Sequence, residues 1–113
     1  MSMPATYNIV NYQGDTYTVV VSLEGDWTTG STPKLEIKVP NAGSPSLELF
    51  SGTGITIGAY SGGFTAFTVV ITSAQSNTLG SSTVYWYDFE VTVGSITTTY
   101  ISGSFVQTAQ VSA

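Results

Sequence analysis

Asp88 and Glu90 stand two residues apart in the run Tyr85-Trp86-Tyr87-Asp88-Phe89-Glu90-Val91, so in an extended chain both carboxylates project from the same face. Paired carboxylates are the apparatus of glycoside hydrolysis, and carboxylate oxygens also hold hard cations. A glycosidase, however, surrounds its pair with a cleft and sugar-stacking groups, and a calcium loop packs several oxygens into a turn. The spacing supplies neither, and the pair reads as a solvated strand face. The remaining chemical inventory is short. The chain has no histidine, no cysteine and no arginine, which removes the commonest general base, the thiolate nucleophile and the usual transition-metal ligands. A Ser-His-Asp set cannot be built, and a Ser-Lys pair has only Lys34 and Lys38 to draw on, both of which alternate outward with Glu36. Asp15 and Asp26 lie beside glycine in turn-like segments, where aspartate fixes the turn by bonding nearby backbone amides. Metal binding there stays open as the weaker reading. The expectation is a non-enzyme with no catalytic, cofactor-binding or metal residues.

Aromatic side chains are the other candidates. Trp27, Trp86, Tyr60 and Tyr100 can stack on sugars, but aromatics in β proteins also fill cores and anchor interfaces. Trp86 shares its strand face with Asp88 and Glu90, opposite Tyr85, Tyr87 and Phe89, so if those three are buried the indole points out. It is then either a docking hot spot or a residue covered by a loop or terminal segment. The interface candidates are Trp86, Asp88, Glu90, Trp27 and Tyr100.

Composition narrows the partners. Charged residues make up 8% of the 113 residues, against about 25% in ordinary soluble domains. Two lysines face seven acids for a net charge of −5. A phosphate-tracking groove needs clustered basic residues, so nucleic acid is not expected as a partner, and attraction to an anionic membrane fails on the same ground. Ser, Thr, Gly and Asn stand where charge is missing. Covering such a surface costs less than burying ions, as suits a subunit packed among neighbours. A free domain with a Thr-rich β surface fits equally well. No window is long and apolar enough for a spanning helix, and MSMPATYNIV lacks the basic and apolar regions of a secretory signal, so use without export by that route is expected.

The elements that position these residues alternate with period two. Tyr17, Val19, Val21 and Leu23 oppose Thr16, Thr18 and Ser22, and Leu35, Ile37 and Val39 oppose Lys34, Glu36 and Lys38. Ile55 with Ile57, then Phe67, Val69 and Ile71, mark two more strands. A long strand through Tyr85, Tyr87, Phe89, Val91 and Val93 enters Gly94-Ser95, where a glycine in the first central position suits a tight type II′ turn, and returns as a strand from Ile96 to about Val106. An N-terminal strand covers about Tyr7 to Tyr12. Turn clusters separate them, including Gln13-Gly14-Asp15, Gly25-Asp26, Ser51-Gly52-Thr53-Gly54 and the Pro40 to Pro45 segment. One helical turn is expected at Ser73 to Leu79, capped by Ser73 and ended by Gly80, as a crossover between two sheets. Gly103 interrupts the last strand and predicts a bulge or bend. The extreme ends, Met1 to Ala5 and Thr108 to Ala113, are either frayed or ordered by a neighbour. Seven or so short strands with Gly/Pro punctuation, over residues 1–113 as one domain, predict an all-β sandwich or barrel.

Three segments stand in order along the chain: Tyr12-Gln13-Gly14-Asp15-Thr16 with the following strand, Ile71-Thr72-Ser73-Ala74-Gln75 with Leu79 and Gly80, and Tyr85-Trp86-Tyr87-Asp88-Phe89-Glu90-Val91-Thr92 with its Gly turn, return strand and Gly103. Together they resemble a family of small phage proteins and domains, including the N-terminal domains of some baseplate and tail-fibre proteins. The likeness covers nearly the whole chain. It departs between Trp27 and Pro33, where the family's Asp-Leu-Thr-Gly-Tyr run is blurred, and lacks the family's Arg after the third strand. The resemblance implies an immunoglobulin-like antiparallel β-sandwich of about seven to eight strands, acting as a virion structural protein in the tail, baseplate or fibre attachment. Its partners would be other virion proteins and copies of itself, its location the virion, assembled in the host cytoplasm. Capsid decoration on the head is the alternative, and a carbohydrate-binding adsorption module using Trp27, Trp86 or Tyr100 a second.

Overall fold

The computed structural model describes residues 5–40, 43–81 and 83–109. The expectations for the extreme ends therefore fall largely outside the described residues, as do Asn41 and Ala42 of the turn after the Lys34 strand. The elements run β1 (Ala5–Thr6), β2 (Ile9–Tyr12), β3 (Tyr17–Glu24), β4 (Ser31–Lys38), β5 (Leu47–Ser51), β6 (Gly54–Ser61), β7 (Phe64–Ile71), α1 (Ser73–Thr78), β8 (Val84–Val93) and β9 (Ile96–Thr108). Hydrogen-bonded neighbours follow the order β1-β9-β8-β4-β5-β6-β7-β3, with β2 also on β9. A short parallel contact, Phe50 with Gly54 and Ser51 with Ile55, carries the ladder from β5 to β6. On either side of that contact lie two packed layers, β9-β8-β4-β5 in front and β6-β7-β3 behind.

Alternation decides what lies between them. From the front layer Leu35, Ile37, Leu49, Tyr85, Tyr87, Phe89, Val91 and Phe105 turn inward, and from the back layer Val21, Ile55, Phe67, Val69 and Ile71 meet them in one buried cluster. Phe67 and Phe89 touch edge to face across the layers at 5.7 Å between ring centroids. The order matches the immunoglobulin arrangement, in which strands B, E and D form one sheet and C, F and G the other. Here β3, β7 and β6 take the first set of places and β4, β8 and β9 the second, with β5 as C′. The corner into β8 carries a further mark of that architecture. Tyr85, near the start of the F-position strand, receives a 2.8 Å hydrogen bond at its hydroxyl from the Gly80 amide upstream, a tyrosine corner. The fold is all-β and immunoglobulin-like. In antibody domains a bridging cysteine follows two residues after that tyrosine. Tyr87 stands there instead, and its hydroxyl donates to the carbonyl of Tyr7.

The hairpin forms as its sequence predicts, with Val93 opposite Ile96 and Gly94 at φ 62°. Several other expectations change. The sandwich is not wholly antiparallel, because β1 and β2 run parallel to β9. First and last strands share no hairpin, and the whole chain between them supplies the long connection that parallel pairing requires. The N-terminal strand is also split at Tyr7 and Asn8, and there a Cβ on Gly103 would lie 2.3 Å from the Tyr7 carbonyl oxygen. Gly103 thus marks a close backbone crossing. The bulge in β9 lies at Tyr100, where Phe89 pairs with Ile101 but Glu90 with Thr99. The helix cap is Thr72, one residue before the expected Ser73. Only Thr72 has a glutamine three residues on, giving reciprocal bonds with Gln75 at 3.2 and 3.0 Å. Its C-cap is Leu79 in extended conformation, so Gly80 serves the tyrosine corner and not the helix end. Finally, β5 is a strand the sequence reading passed over, although Leu47 and Leu49 alternate with Glu48 and Phe50.

One buried polar residue ties the ends of the chain together. Gln107 is 1% exposed; its side-chain amide donates to the carbonyls of Ser76 and Leu79, both at 2.8 Å, and its oxygen accepts from Ser76 Oγ at 2.7 Å and Asn11 Nδ2 at 3.2 Å. Strands β2 and β9 and helix α1 meet on this one side chain. Among the described residues no buried side-chain nitrogen or oxygen lacks a hydrogen bond. Gln107→Leu keeps the volume but orphans groups on two elements, and urea denaturation should show a loss of about 2–4 kcal/mol with little change in m-value.

Candidate docking face

Burial of the odd-numbered residues of β8 turns Trp86, Asp88 and Glu90 to the outside of the front layer. Trp86 is 50% exposed, within a long strand near its start rather than on a loop. Its cross-strand neighbours are Lys38 on β4 and Ser104 on β9. The next rung places Asp88 opposite Glu36 and Ser102, and β5 continues that rung with Glu48 opposite Glu36. One more rung sets Glu90 against Lys34, whose far neighbour is Phe50. Three carboxylates, from Glu48, Glu36 and Asp88, therefore lie side by side across three strands.

Lys34 answers most of this charge. Its ammonium lies 3.3 Å from Glu90 Oε1, 3.4 Å from Glu36 Oε2 and 3.9 Å from Glu48 Oε2, while Lys38 reaches Glu36 Oε1 at 4.0 Å. Partial burial lowers the Lys34 pKa, but the Glu90 bond and the charges of Glu90 and Glu36 outweigh it and leave the pKa raised. Asp88 takes no ion pair among the described residues. Desolvation first, then repulsion from Glu90 and Glu36, push its pKa above the ordinary value, with only partial relief from Lys38. Directly opposed like charges destabilise a sheet. The strip thus combines a half-exposed indole with a carboxylate that has no ion pair among the described residues.

Trp27 and Tyr100 are elsewhere. Their rings meet edge to face at 5.8 Å and 76° on the inner side of the β8–β9 hairpin. With Val91, Val93, Ile96 and Thr98 they line a shallow apolar cleft of about 230 Å3. Trp27 is fixed on three sides: its amide donates to Thr65 Oγ1 at 3.0 Å, its Nε1–H to the Glu24 carbonyl at 2.9 Å, and its carbonyl accepts from Ser31 Oγ at 2.6 Å. The five candidates therefore separate into a group of three on the outer face and a pair on the inner. No common sugar platform joins Trp27, Tyr100 and Trp86, and the near-perpendicular rings of the pair leave no flat surface between them.

Asp26 does what its turn predicts. Its carboxylate accepts from the Thr28 hydroxyl at 2.6 Å and the Thr28 amide at 3.1 Å, which lowers its pKa. Among the described residues no group of three or more His, Cys, Asp or Glu is placed to hold a metal ion. The residues that complete the outer strip, Lys34, Glu36, Glu48 and Phe50, were visible only as outward charges on β4 or not at all. Their adjacency to Asp88 and Glu90 is set by the β4–β8 and β4–β5 registers, which pattern alone does not give.

No protein-family model matches the chain, and no curated protein matches it. Among solved structures it is similar to the extracellular domain of the voltage-gated sodium channel beta4 subunit, a parallel homodimer with a role in cell–cell adhesion. That match has 10% identity, covers 98% of each chain and has a TM-score of 0.43. It is also similar to the NK cell receptor NKp44, a triggering partner in natural cytotoxicity, at 15% identity over 96% of this chain and all of that one, with a TM-score of 0.34. Both scores lie below 0.5, and the fold assignment rests on strand order and the tyrosine corner.

The raised pKa of Asp88 gives a signed prediction. A carboxyl whose folded pKa exceeds its unfolded one favours folding when protonated, so the contribution of Asp88 to stability rises as pH falls from the raised value to about 4, the unfolded pKa. Asp88→Asn should be more stable than wild type at pH 7 in thermal unfolding, and the difference should close below about pH 4.

Proposed function

We propose that this chain is a structural component of a bacteriophage virion, acting by protein–protein docking and without catalysis, with its place in the tail as a baseplate or fibre-attachment module. The observation that carries the docking part is the outer strip of β8: a half-exposed tryptophan beside a carboxylate held against like charge. A side chain kept where it costs stability is a feature of functional surfaces. A partner that presents an amide or ammonium donor to Asp88 and covers Trp86 relieves both costs at once. The surrounding hydroxyl-rich surface is inexpensive to desolvate. The virion part is supported by the three ordered segments that resemble small phage baseplate and tail-fibre domains. Repetition by symmetry then multiplies a modest contact into a durable assembly.

Virions carrying a C-terminal tag, labelled with gold and imaged by electron microscopy, should show label at the tail tip. Label on the capsid shell would move the protein to head decoration, and purified particles without label would overturn the virion reading. A glycan array with signal on the wild type that Trp27→Ala abolishes would replace docking with carbohydrate recognition. Within the docking reading, Trp86→Ala should weaken incorporation roughly 30-fold, as for loss of an interface hot spot of about 2 kcal/mol, with an unchanged circular dichroism spectrum.

A further inference from the structure

The sheet path ends at β3, which among the described residues pairs only with β7. The opposite end of the path is closed by the short β1 and β2 on β9. In an antiparallel ladder alternate residues of an edge strand aim both N–H and C=O away from the sheet, so among the described residues β3 presents a row of backbone groups over eight residues that no second strand pairs. Long free edges are ordinarily blunted by lysine, proline, a bulge or a covering segment. β3 contains no lysine or proline, and its register with β7 runs from Tyr17–Ile71 to Glu24–Phe64 without a shift. Beside it lies an open groove of about 420 Å3, lined by Ala5, Thr6, Tyr7, Val19, Val20, Val21 and Ile101. Val20 is 57% exposed at its centre.

The edge is also symmetric about Val20. Its outward residues run Thr18, Val20, Ser22, and its inward residues Tyr17, Val19, Val21, Leu23. Pairing two copies of β3 antiparallel with Val20 on the axis sets Val20 against Val20, Thr18 against Ser22, Val19 against Val21 and Tyr17 against Leu23. The inward positions pair large apolar or aromatic side chains with one another, and the outward Thr18 and Ser22 pair hydroxyl with hydroxyl. The only charge, Glu24, falls opposite Thr16 and not opposite its own copy. We propose that β3 is a self-recognition edge: two copies of the chain join by antiparallel β3–β3 pairing about Val20, extending the back layer of each sandwich into one six-stranded sheet. The interface is isologous, as a two-fold axis requires, and its backbone bonds supply affinity while the Val20-centred pattern fixes register. This inference does not rest on the virion reading, and it is measured on purified protein alone.

The chain has no cysteine, so single cysteines report contacts cleanly. Val20→Cys places the two Cβ atoms about 4.5–5.5 Å apart in the paired register, near disulfide range. Thr16→Cys places its copies about 27 Å apart, eight strand rises from one another. Under mild oxidation Val20→Cys should form a covalent dimer and Thr16→Cys should not. Sedimentation velocity over about 1–200 µM should show wild-type dimer, and Val20→Lys, which sets like charges on the axis, should weaken it at least tenfold with an unchanged circular dichroism spectrum. A wild-type monomer throughout that range, equal crosslinking from both cysteines, or a dimer indifferent to a folded Val20→Lys would each overturn the proposal.

Discussion

Burial of Tyr85, Tyr87, Phe89 and Val91 along one side of β8 is the constraint on which the rest of the molecule depends. These side chains fill the space between the layers, and each also fixes a neighbour. Tyr85 packs edge to face on Phe105 and holds the corner through Gly80, Tyr87 reaches the N-terminal segment, and Phe89 meets Phe67 across the core. Tyrosine and phenylalanine bury large areas in defined geometries, so a strand built from them has one register that satisfies all contacts. A slip by one residue would bury Asp88 and Glu90 and expose the ring set.

With no disulfide, the job of joining distant chain segments falls to hydroxyls and amides. Gln107 and Ser76 gather β2, β9 and α1. Gln13 adds hydrogen bonds to the carbonyls of Asn77 and Leu79, both at 3.1 Å. Thr65 does the same at the opposite end, donating to the Gly25 carbonyl at 2.7 Å while accepting from Trp27. Such groups stabilise only when fully paired, because a buried donor or acceptor left alone costs more than a made bond returns. The sandwich is therefore closed at both ends by polar contacts that tolerate little substitution. Its middle is apolar and more forgiving.

The surface follows another rule. The few charges are concentrated on the outer face of β4, β5 and β8, where Lys34 is shared among three carboxylates and Asp88 is left against like charge. Elsewhere the exposed faces carry threonine, serine and single apolar residues. A surface of this kind offers weak electrostatic resistance to close approach, and the β3 edge, which among the described residues pairs only with β7, adds backbone groups to it. Both features support the proposed docking, one through side chains on a sheet face and the other through the main chain.

The sequence alone determined the all-β class, the β8–β9 hairpin, the alternation of buried and exposed residues along β3, β4, β7 and β8, and the outward placement of Trp86, Asp88 and Glu90. These are local properties: period-two burial and a glycine at a turn are written within a few residues. Register, strand neighbours and close approaches are relations between segments tens of residues apart, and only the tertiary structure decided them. Gly103 shows the difference, since its meaning lies in the Tyr7 carbonyl and not in its own strand. Leu47–Ser51 became a strand because β4 offered it an edge. Asp88 drew the neighbours Glu36 and Ser102 from registers that no residue pattern encodes, and Tyr100 joined Trp27 on the inner side of the sheet at the bulge that shifts the β8–β9 register.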